Sequence, residues 1–361
     1  MRRKRSPADH SVSPDATLRD TAAVIGRGRI GFVLVLDDEG RLVDTLTDGD
    51  LRRAVLAGHA LDEPVSAIAS RRAGTVYAHP VSASEGLPVS ELVAVMARNL
   101  VRHLPLTDAS GRIVDLFIRD DLAPIEELPI DAVVMAGGFG HRLGRLTQDV
   151  PKPMLPLGEK PLLEHTVRSL KEAGIRRVHL TTHYLGEVIK AHFQDGKELG
   201  VDISYVDETQ PLGTAGALGL LPTTQGPVLV MNGDIVTNVD FRSMLEFHQE
   251  HQASLTVGVR QYEVQVPYGV VESEGAQVRA FREKPTATFL VNAGLYLIDS
   301  AVLGRVPANQ RLDMSDLIQD LLLRGESVVS FPVLEYWLDI GQLSDYARAQ
   351  EDWGPGASPL P

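Results

Sequence analysis

From residue 131 onward the chain alternates short apolar runs with segments of helical period, and few folds accommodate that pattern. "IDAVVMA" (130–136) reads as a buried strand, "PLLEHTVRSLKEAG" (161–174) as a helix closed by Gly174, and "RRVHLTTHY" (176–184) as a strand. "GEVIKAHFQD" (186–195) follows as a helix, "ISYVDE" (203–208) as a strand, and "PVLVMNGDIV" (227–236) as a strand running into a loop. Such alternation predicts an α/β fold: a mainly parallel sheet covered on both faces, with ligand loops at the carboxyl ends of its strands.

The first 125 residues follow a different rule, an internal repeat. "GFVLVLDDEGRLVDTLTDGDLRRAV" (31–55) and "VRHLPLTDASGRIVDLFIRDDLAP" (101–124) each hold an apolar strand, an Asp-x-x-Gly-Arg turn, a second strand and an acidic pair suited to cap a helix. Two β-hairpins are expected, turning at "DDEG" and "DASG". "LAPIEELPI" (122–130), with two prolines and no clear period, reads as a linker. We therefore expect a tail over 1–14, a small α+β module over 15–125, a linker at 126–130, the α/β domain over 131–350 and a tail over 351–361. A chain of 361 residues has ample sequence for two cores.

With 35 Lys+Arg against 48 Asp+Glu the formal charge is −13, which argues against nucleic acid or an anionic membrane as a partner. A phosphorylated ligand must be held by local chemistry against that field. The absence of cysteine excludes disulfides and thiolate metal sites and fits a reducing cytoplasm, the expected location. No apolar run reaches the ~18 residues that would span a bilayer. The basic start, "MRRKRSPADHSVSP", lacks the apolar stretch of a secretory signal.

The loop after the first α/β strand, "VVMAGGFGHRLGRLTQDVPKPMLPL" (133–157), is the most informative stretch. A dinucleotide fingerprint starting at Gly138 and Gly140 needs a third glycine where Leu143 stands, and no Gly-x4-Gly-Lys-Ser/Thr string occurs. An oxidoreductase and a P-loop enzyme are thereby disfavoured. What remains is Ala136-Gly137-Gly138-Phe139-Gly140, then Arg142, then Lys152 between Pro151 and Pro153. Glycines let successive N–H groups converge on phosphate oxygens. Arg142 offers a fork suited to phosphate, and the prolines withhold Lys152 from a helix and mount its charge stiffly.

This arrangement resembles the sugar-1-phosphate nucleotidyltransferase family, whose signature is Gly-Gly-x-Gly-x-Arg-Leu followed by Pro-Lys-Pro; His141 stands where that family usually has Thr. The resemblance runs over roughly 131–350 and implies a Rossmann-like, GT-A-like domain. "ETQPLGTAGAL" (208–218) resembles the base-binding loop, with Glu208 near the base edge and Gly213 allowing the base to approach the backbone. Asp234 of "MNGDI" and Asp339 of "YWLDIGQLSDY" would ligate Mg²⁺, the one cofactor implied. In "PYGVV", "FREKP" and "VNAGLYLI", the residues Gly269, Glu283 and Asn292 would hydrogen-bond the sugar and Lys284 would meet its phosphate.

The partners implied are a nucleoside triphosphate and a sugar 1-phosphate. The family reaction is in-line attack by the sugar phosphate on the α-phosphorus, with Arg142 and Lys152 as the catalytic pair. A carboxylate at position 208 can accept both N1–H and N2–H₂ of guanine, which favours GTP over UTP, dTTP or CTP. The loop is also similar to that of mannose-1-phosphate guanylyltransferases, and a CBS module joined to a nucleotidyltransferase resembles bacterial surface-sugar pathway enzymes, which leaves mannose, glucosamine and heptose 1-phosphates all open. A non-catalytic regulatory protein of the same fold is the competing class.

The repeat resembles the tandem CBS module, in which a Thr-x-x-Asp contacts the phosphate and ribose of an adenine nucleotide. Thr47 and Asp50 fit it in the first repeat, whereas Ile118 and Asp121 lack the hydroxyl in the second. A packing or dimerisation module is the favoured reading, and a homo-oligomer is expected.

Overall fold

The apolar runs beyond residue 130 assemble into one seven-stranded sheet. The computed structural model describes residues 5–28, 30–69, 80–119, 127–224 and 226–352. Asp121, Glu126 of the expected linker and the outer parts of both tails lie outside the described residues.

The amino-terminal part holds β1 (Ser11–Val12), α1 (Leu18–Gly28), β2 (Phe32–Leu36), β3 (Leu42–Thr47), α2 (Asp48–Leu56), α3 (Ser66–Ala69), β4 (Ala83–Ser84), α4 (Val89–Asn99), β5 (His103–Thr107) and β6 (Ile113–Ile118). There follow β7 (Asp131–Met135), β8 (Pro156–Leu157), β9 (Lys160–Pro161), α5 (Leu162–Glu172), β10 (Arg177–Thr182), α6 (Gly186–Phe193), β11 (Asp202–Asp207), α7 (Gly213–Gly216), β12 (Val228–Asn232), β13 (Ile235–Thr237) and α8 (Phe241–Glu250). The last elements are β14 (Leu255–Gln265), β15 (Val270–Glu274), β16 (Gln277–Arg282), β17 (Thr286–Ile298), α9 (Ser300–Leu303), α10 (Met314–Leu323), β18 (Val328–Pro332), β19 (Trp337–Asp339) and α11 (Leu343–Asp352).

The sheet order is β11-β10-β7-β12-β17-β14-β18. It is mainly parallel: β17 runs against both its neighbours, while β11, β10, β7 and β12 pair in parallel, as do β14 and β18. Period-two alternation sends Ala132 and Val134 of β7 to one face, under Leu163, Val167 and Leu170 of α5 and Phe241 of α8. Val133 goes to the other face with Val230, Tyr296 and the α10 residues Met314, Leu317 and Leu321. Burial on both faces explains why β7 reads as an unbroken apolar run.

The repeat is visible atom by atom. Each copy forms a three-stranded sheet of the same order, β1-β2-β3 and β4-β5-β6. In the first turn Asp37 Oδ1 accepts from the N–H groups of Glu39 and Arg41; in the second, Asp108 Oδ1 accepts from Ser110 and Arg112. Gly40 and Gly111 take the left-handed conformation that closes each turn, at φ +76° and +80°. The copies meet through Phe32 and Leu34 against Leu116 and Ile118, and the Ile113 N–H donates to Gly40 O at 3.1 Å. Among the described residues no helix is long and apolar enough to cross a membrane.

Leu116 is fully buried where the two copies meet. Leu116→Ala is expected to lower the stability of the amino-terminal module by about 2–5 kcal/mol. Urea denaturation of the full chain measures this, and a shift below ~1 kcal/mol would place the inter-repeat contact elsewhere.

Candidate active site

The glycine loop leaves β7 between two neighbouring strands. Ala136 N–H donates to Thr181 O at 3.1 Å, and Gly233 N–H donates to Met135 O at 2.9 Å. Gly140 adopts φ +66°, and a Cβ there would lie 3.0 Å from Thr147 Cγ2 and 3.2 Å from Lys152 Cβ. Glycine is required because the loop folds tightly onto the Lys152 segment. Gly138 is exposed, with open space on its side-chain direction, so a ligand can approach the backbone there. Leu143, at the position where a dinucleotide loop needs glycine, is buried with Leu155, Leu157, Leu338 and Ile340. It is a core residue, which gives the failed fingerprint a structural cause.

Pro151 and Pro153 confine Lys152 to a single 3-10 turn, Lys152–Met154, so the expected exclusion from helix holds except for that one turn. The Lys152 ammonium is buried and donates to Asp234 Oδ2. Asp234 and Asp339, 105 residues apart in sequence, meet because β13 and β19 form an antiparallel ribbon in which Ile235 pairs with Asp339. The Ile340 N–H donates to Asp234 O at 3.0 Å and locks the end of that ribbon. Asp339 Oδ1 is buried and has no hydrogen-bond partner. Burial pushes the Asp339 carboxyl up and the Asp234 charge adds to this, while Lys152 and Arg142 pull it back. Arg142 is exposed, and its Nη1 and Asp339 Oδ1 lie 3.7 and 3.8 Å from where a Cβ would stand at Gly341. Arg142, Lys152, Asp234 and Asp339 therefore share one locus at the mouth of the glycine loop.

Glu208 lies beside the same loop. A Cβ at Gly137 would stand 3.1 Å from Glu208 Oε1 and 3.3 Å from His183 N. Glu208 Oε2 accepts from the Leu212 N–H at 2.9 Å, so one oxygen orders its own loop and the other faces the glycines. For Gly213 the structure supplies a packing reason: at φ +78°, a Cβ would fall 2.5 Å from Asp313 Oδ1 and 2.6 Å from Leu312 O. The space beside it is filled by protein.

In the second half of the site, a Cβ at Gly269 would meet the Phe281 ring at 2.4 Å and Glu283 Oε2 at 3.1 Å, so Gly269 and Glu283 are juxtaposed. Lys284 is exposed and adopts φ +44°, uncommon for a residue with a side chain. Asn292 Nδ2 donates to Tyr296 Oη at 2.6 Å, and its Oδ1 accepts from Gly294 N–H at 2.9 Å. Gly294, at φ +67°, abuts Asn232: a Cβ would stand 2.7 Å from Asn232 Nδ2. The Asn292 strand is thereby seated against the loop that carries Asp234. Thr47 and Asp50 form a reciprocal capping box at the start of α2, and Asp50 also pairs with Arg53.

Sequence reasoning missed Gly341, which sits beside Arg142, Asp339 and Asp345, and Tyr296, which accepts from Asn292 Nδ2. It also missed Phe139, which packs against His183 and Tyr184 at 5.5 and 5.4 Å between ring centroids. An open cleft of about 360 Å³ beside these rings is lined by Phe139, Gly144, Arg145, Thr147, Gln148 and Tyr184. Gly341 was within reach of a reading, since a glycine two residues after a candidate ligand is a turn signal; Tyr296 sits in an apolar run that reads only as core.

The family model described as nucleotidyl transferase matches residues 131–354, and the CBS domain model matches 6–57 and 73–124. The chain belongs to the nucleotidyl transferase family and carries a pair of CBS domains before it. It is 34% identical over 239 residues to a mannose-1-phosphate guanylyltransferase of Mycobacterium tuberculosis, covering 64% of this chain and 67% of that protein. It is likewise 34% identical over 224 residues to the mannose-1-phosphate guanylyltransferase catalytic subunit beta of Xenopus tropicalis, covering 60% and 62%. The chain thus spans between three fifths and about two thirds of the length of these curated relatives. Among solved structures, HddC of Yersinia pseudotuberculosis complexed with GMP-PN has a TM-score of 0.49 at 24% identity, covering 62% of this chain and all of that one.

Gly213→Ala is expected to destabilise the α/β domain by about 1–3 kcal/mol, because it combines a strained φ with backbone overlap. A thermal melt indistinguishable from the unsubstituted chain would contradict this packing role.

Proposed function

We propose that the chain is a sugar-1-phosphate guanylyltransferase, converting GTP and a sugar 1-phosphate to a GDP-sugar and pyrophosphate. The observation that carries this reading is the convergence of Arg142, Lys152, Asp234 and Asp339 beside an open glycine loop. A sugar-phosphate oxygen is already anionic, so no general base is needed: it forms a bond to the α-phosphorus as the α–β bridging bond breaks and pyrophosphate leaves. The glycine amides and Arg142 hold the triphosphate, and Lys152 stabilises charge at the reacting phosphates. Gly269, Glu283 and Asn292 hold the sugar, and Lys284 its phosphate.

The residues present fit a divalent cation. Asp339 Oδ1 is buried without a partner, a costly state unless a positive group completes it. Two carboxylates together with substrate phosphates are a usual way of holding Mg²⁺, which keeps several of its waters. Asp234 and Asp339 would hold it; when bound, it neutralises charge on the phosphates.

The names of the relatives support guanine as the base, and the free Oε1 of Glu208 supplies an acceptor beside the loop. Mannose 1-phosphate is the first sugar to test, within a cytoplasmic surface-sugar pathway, and the working unit is proposed to be a homo-oligomer. Thr47 and Asp50 are the proposed contacts for an adenine nucleotide at the CBS pair.

Pyrophosphate release measured for four nucleoside triphosphates against several sugar 1-phosphates tests the reading: GTP should win, and no turnover with any pair would leave the regulatory alternative. Lys152→Ala and Asp234→Asn should each remain folded and lose roughly 10²-fold or more in kcat. Glu208→Gln should lower kcat/KM for GTP by about 10-fold while leaving poorer nucleotides nearly unchanged; an equal loss for every base would remove Glu208 from base recognition.

A further inference from the structure

Arg52 is among the largest fully buried side chains of the chain, at 1% exposure, and it lies in the CBS pair rather than in the α/β domain. Its Nε donates to Asp48 Oδ2 at 2.6 Å within α2. Its remaining partners belong to the other domain. Nη2 donates to Glu335 Oε1 at 2.7 Å, Nη1 donates to the Pro332 carbonyl, and the guanidinium lies 3.8 Å from the centroid of the Phe331 ring. One arginine of the amino-terminal module is keyed into the segment that joins β18 to β19.

Glu335 carries the contact further. Its Oε1 also accepts from the Asp240 N–H at 3.1 Å, and its Oε2 accepts from the Leu334 N–H at 3.0 Å. Its carbonyl accepts from Arg260 Nη1 at 3.0 Å, and Arg260 in turn lies over Trp337. Asp240 ends the loop after β13, which begins next to Asp234; Glu335 leads into β19, which ends at Asp339. A single carboxylate therefore ties the roots of both strands that present the carboxylate pair.

Burial of three charged groups is a poor way to gain stability, because desolvation offsets much of the attraction and an apolar cluster would serve as well. What the arginine fork supplies is fixed geometry: it holds one orientation of Glu335 with two donors engaged across the domain boundary.

We propose that Arg52 is a positioning residue for the nucleotidyl-transfer site, fixing Glu335 and through it the relative placement of Asp234 and Asp339, so that the CBS pair is a working part of the cation site. This rests on the reading of that pair as cation ligands. Thr47 and Asp50 cap the same first turn of α2 that carries Asp48, so the candidate nucleotide contacts of the CBS pair act on the helix that holds the arginine.

The test uses the full chain in three forms: unsubstituted, Arg52→Lys, which keeps the charge and loses the fork, and the triple variant Asp48→Asn, Arg52→Met, Glu335→Gln, which leaves no buried charge unpaired. Folding is checked by circular dichroism and melting, and affinity for Mn²⁺ alone is measured by electron paramagnetic resonance. Pyrophosphate release is measured across a Mg²⁺ series. Below their melting temperatures both variants should bind Mn²⁺ roughly 10-fold more weakly and lose roughly 10-fold in kcat, with KM for the nucleotide changing less. A lowered melting temperature with unchanged Mn²⁺ affinity would assign Arg52 to stability alone and overturn the proposal, as would unfolding of both variants or absence of Mn²⁺ binding by the unsubstituted chain. Absence of turnover by the unsubstituted chain would instead overturn the guanylyltransferase reading, while the Mn²⁺ comparison would still decide the role of Arg52.

Discussion

Two carboxylates held at one point repel, and the α/β domain is arranged around tolerating that repulsion. The β13–β19 ribbon forces Asp234 and Asp339 together, burial raises the cost, and Lys152 offsets part of it by direct pairing with Asp234. A lysine that paired only loosely would leave both charges seeking solvent. The two prolines fix the backbone that carries Lys152, and burial of its side chain with the Asp234 pairing holds its ammonium, so the offset acts in one geometry. The glycine loop then closes on the lysine segment from the other side, with Gly140 against Lys152 Cβ. Removing any one of these constraints frees the others.

The same arrangement explains how an acidic chain can bind a polyanion. The formal charge of −13 repels phosphate at long range, but surface charges are screened beyond about 10 Å in ordinary salt. Within that distance a bound triphosphate would, on the proposed reading, meet the glycine amides, Arg142 and Lys152. Local donors aimed at the phosphates outweigh a diffuse field of the opposite tendency because they are close and partly desolvated.

Much of this was legible in the sequence, for reasons that differ from element to element. The central parallel strands β7 and β12 announce themselves because burial on both faces writes continuous apolar runs, while β10 and the edge strand β11 are marked by the helical segments that flank them. The repeat is legible because its turn chemistry is local: Asp37 and Asp108 each satisfy backbone N–H groups within four residues. The glycine loop, Arg142 and Pro-Lys-Pro are contiguous, so their spacing carries information. What escaped is non-local. The antiparallel insertion of β17 between β12 and β14 is set by pairing with strands tens of residues earlier, and the meeting of Asp234 with Asp339 depends on a three-residue ribbon too short to carry a pattern. Gly213 was visible as a glycine, but the backbone of Leu312 that demands it lies about a hundred residues away.

Arg52 shows the same limit from the side of the repeat. In sequence Thr47 aligns with Ile118, Asp50 with Asp121 and Arg52 with Ala123, so the two copies share their turn residues and differ in the positions that follow the second strand. The first copy keeps its turn chemistry and also carries an arginine whose partners Pro332, Glu335 and Phe331 belong to the other domain. Both copies touch the α/β domain, the second through Arg102 to Glu246, but in the first a fully buried arginine makes the contact at β18 and the segment that follows it, which a repeat's local turn chemistry cannot announce.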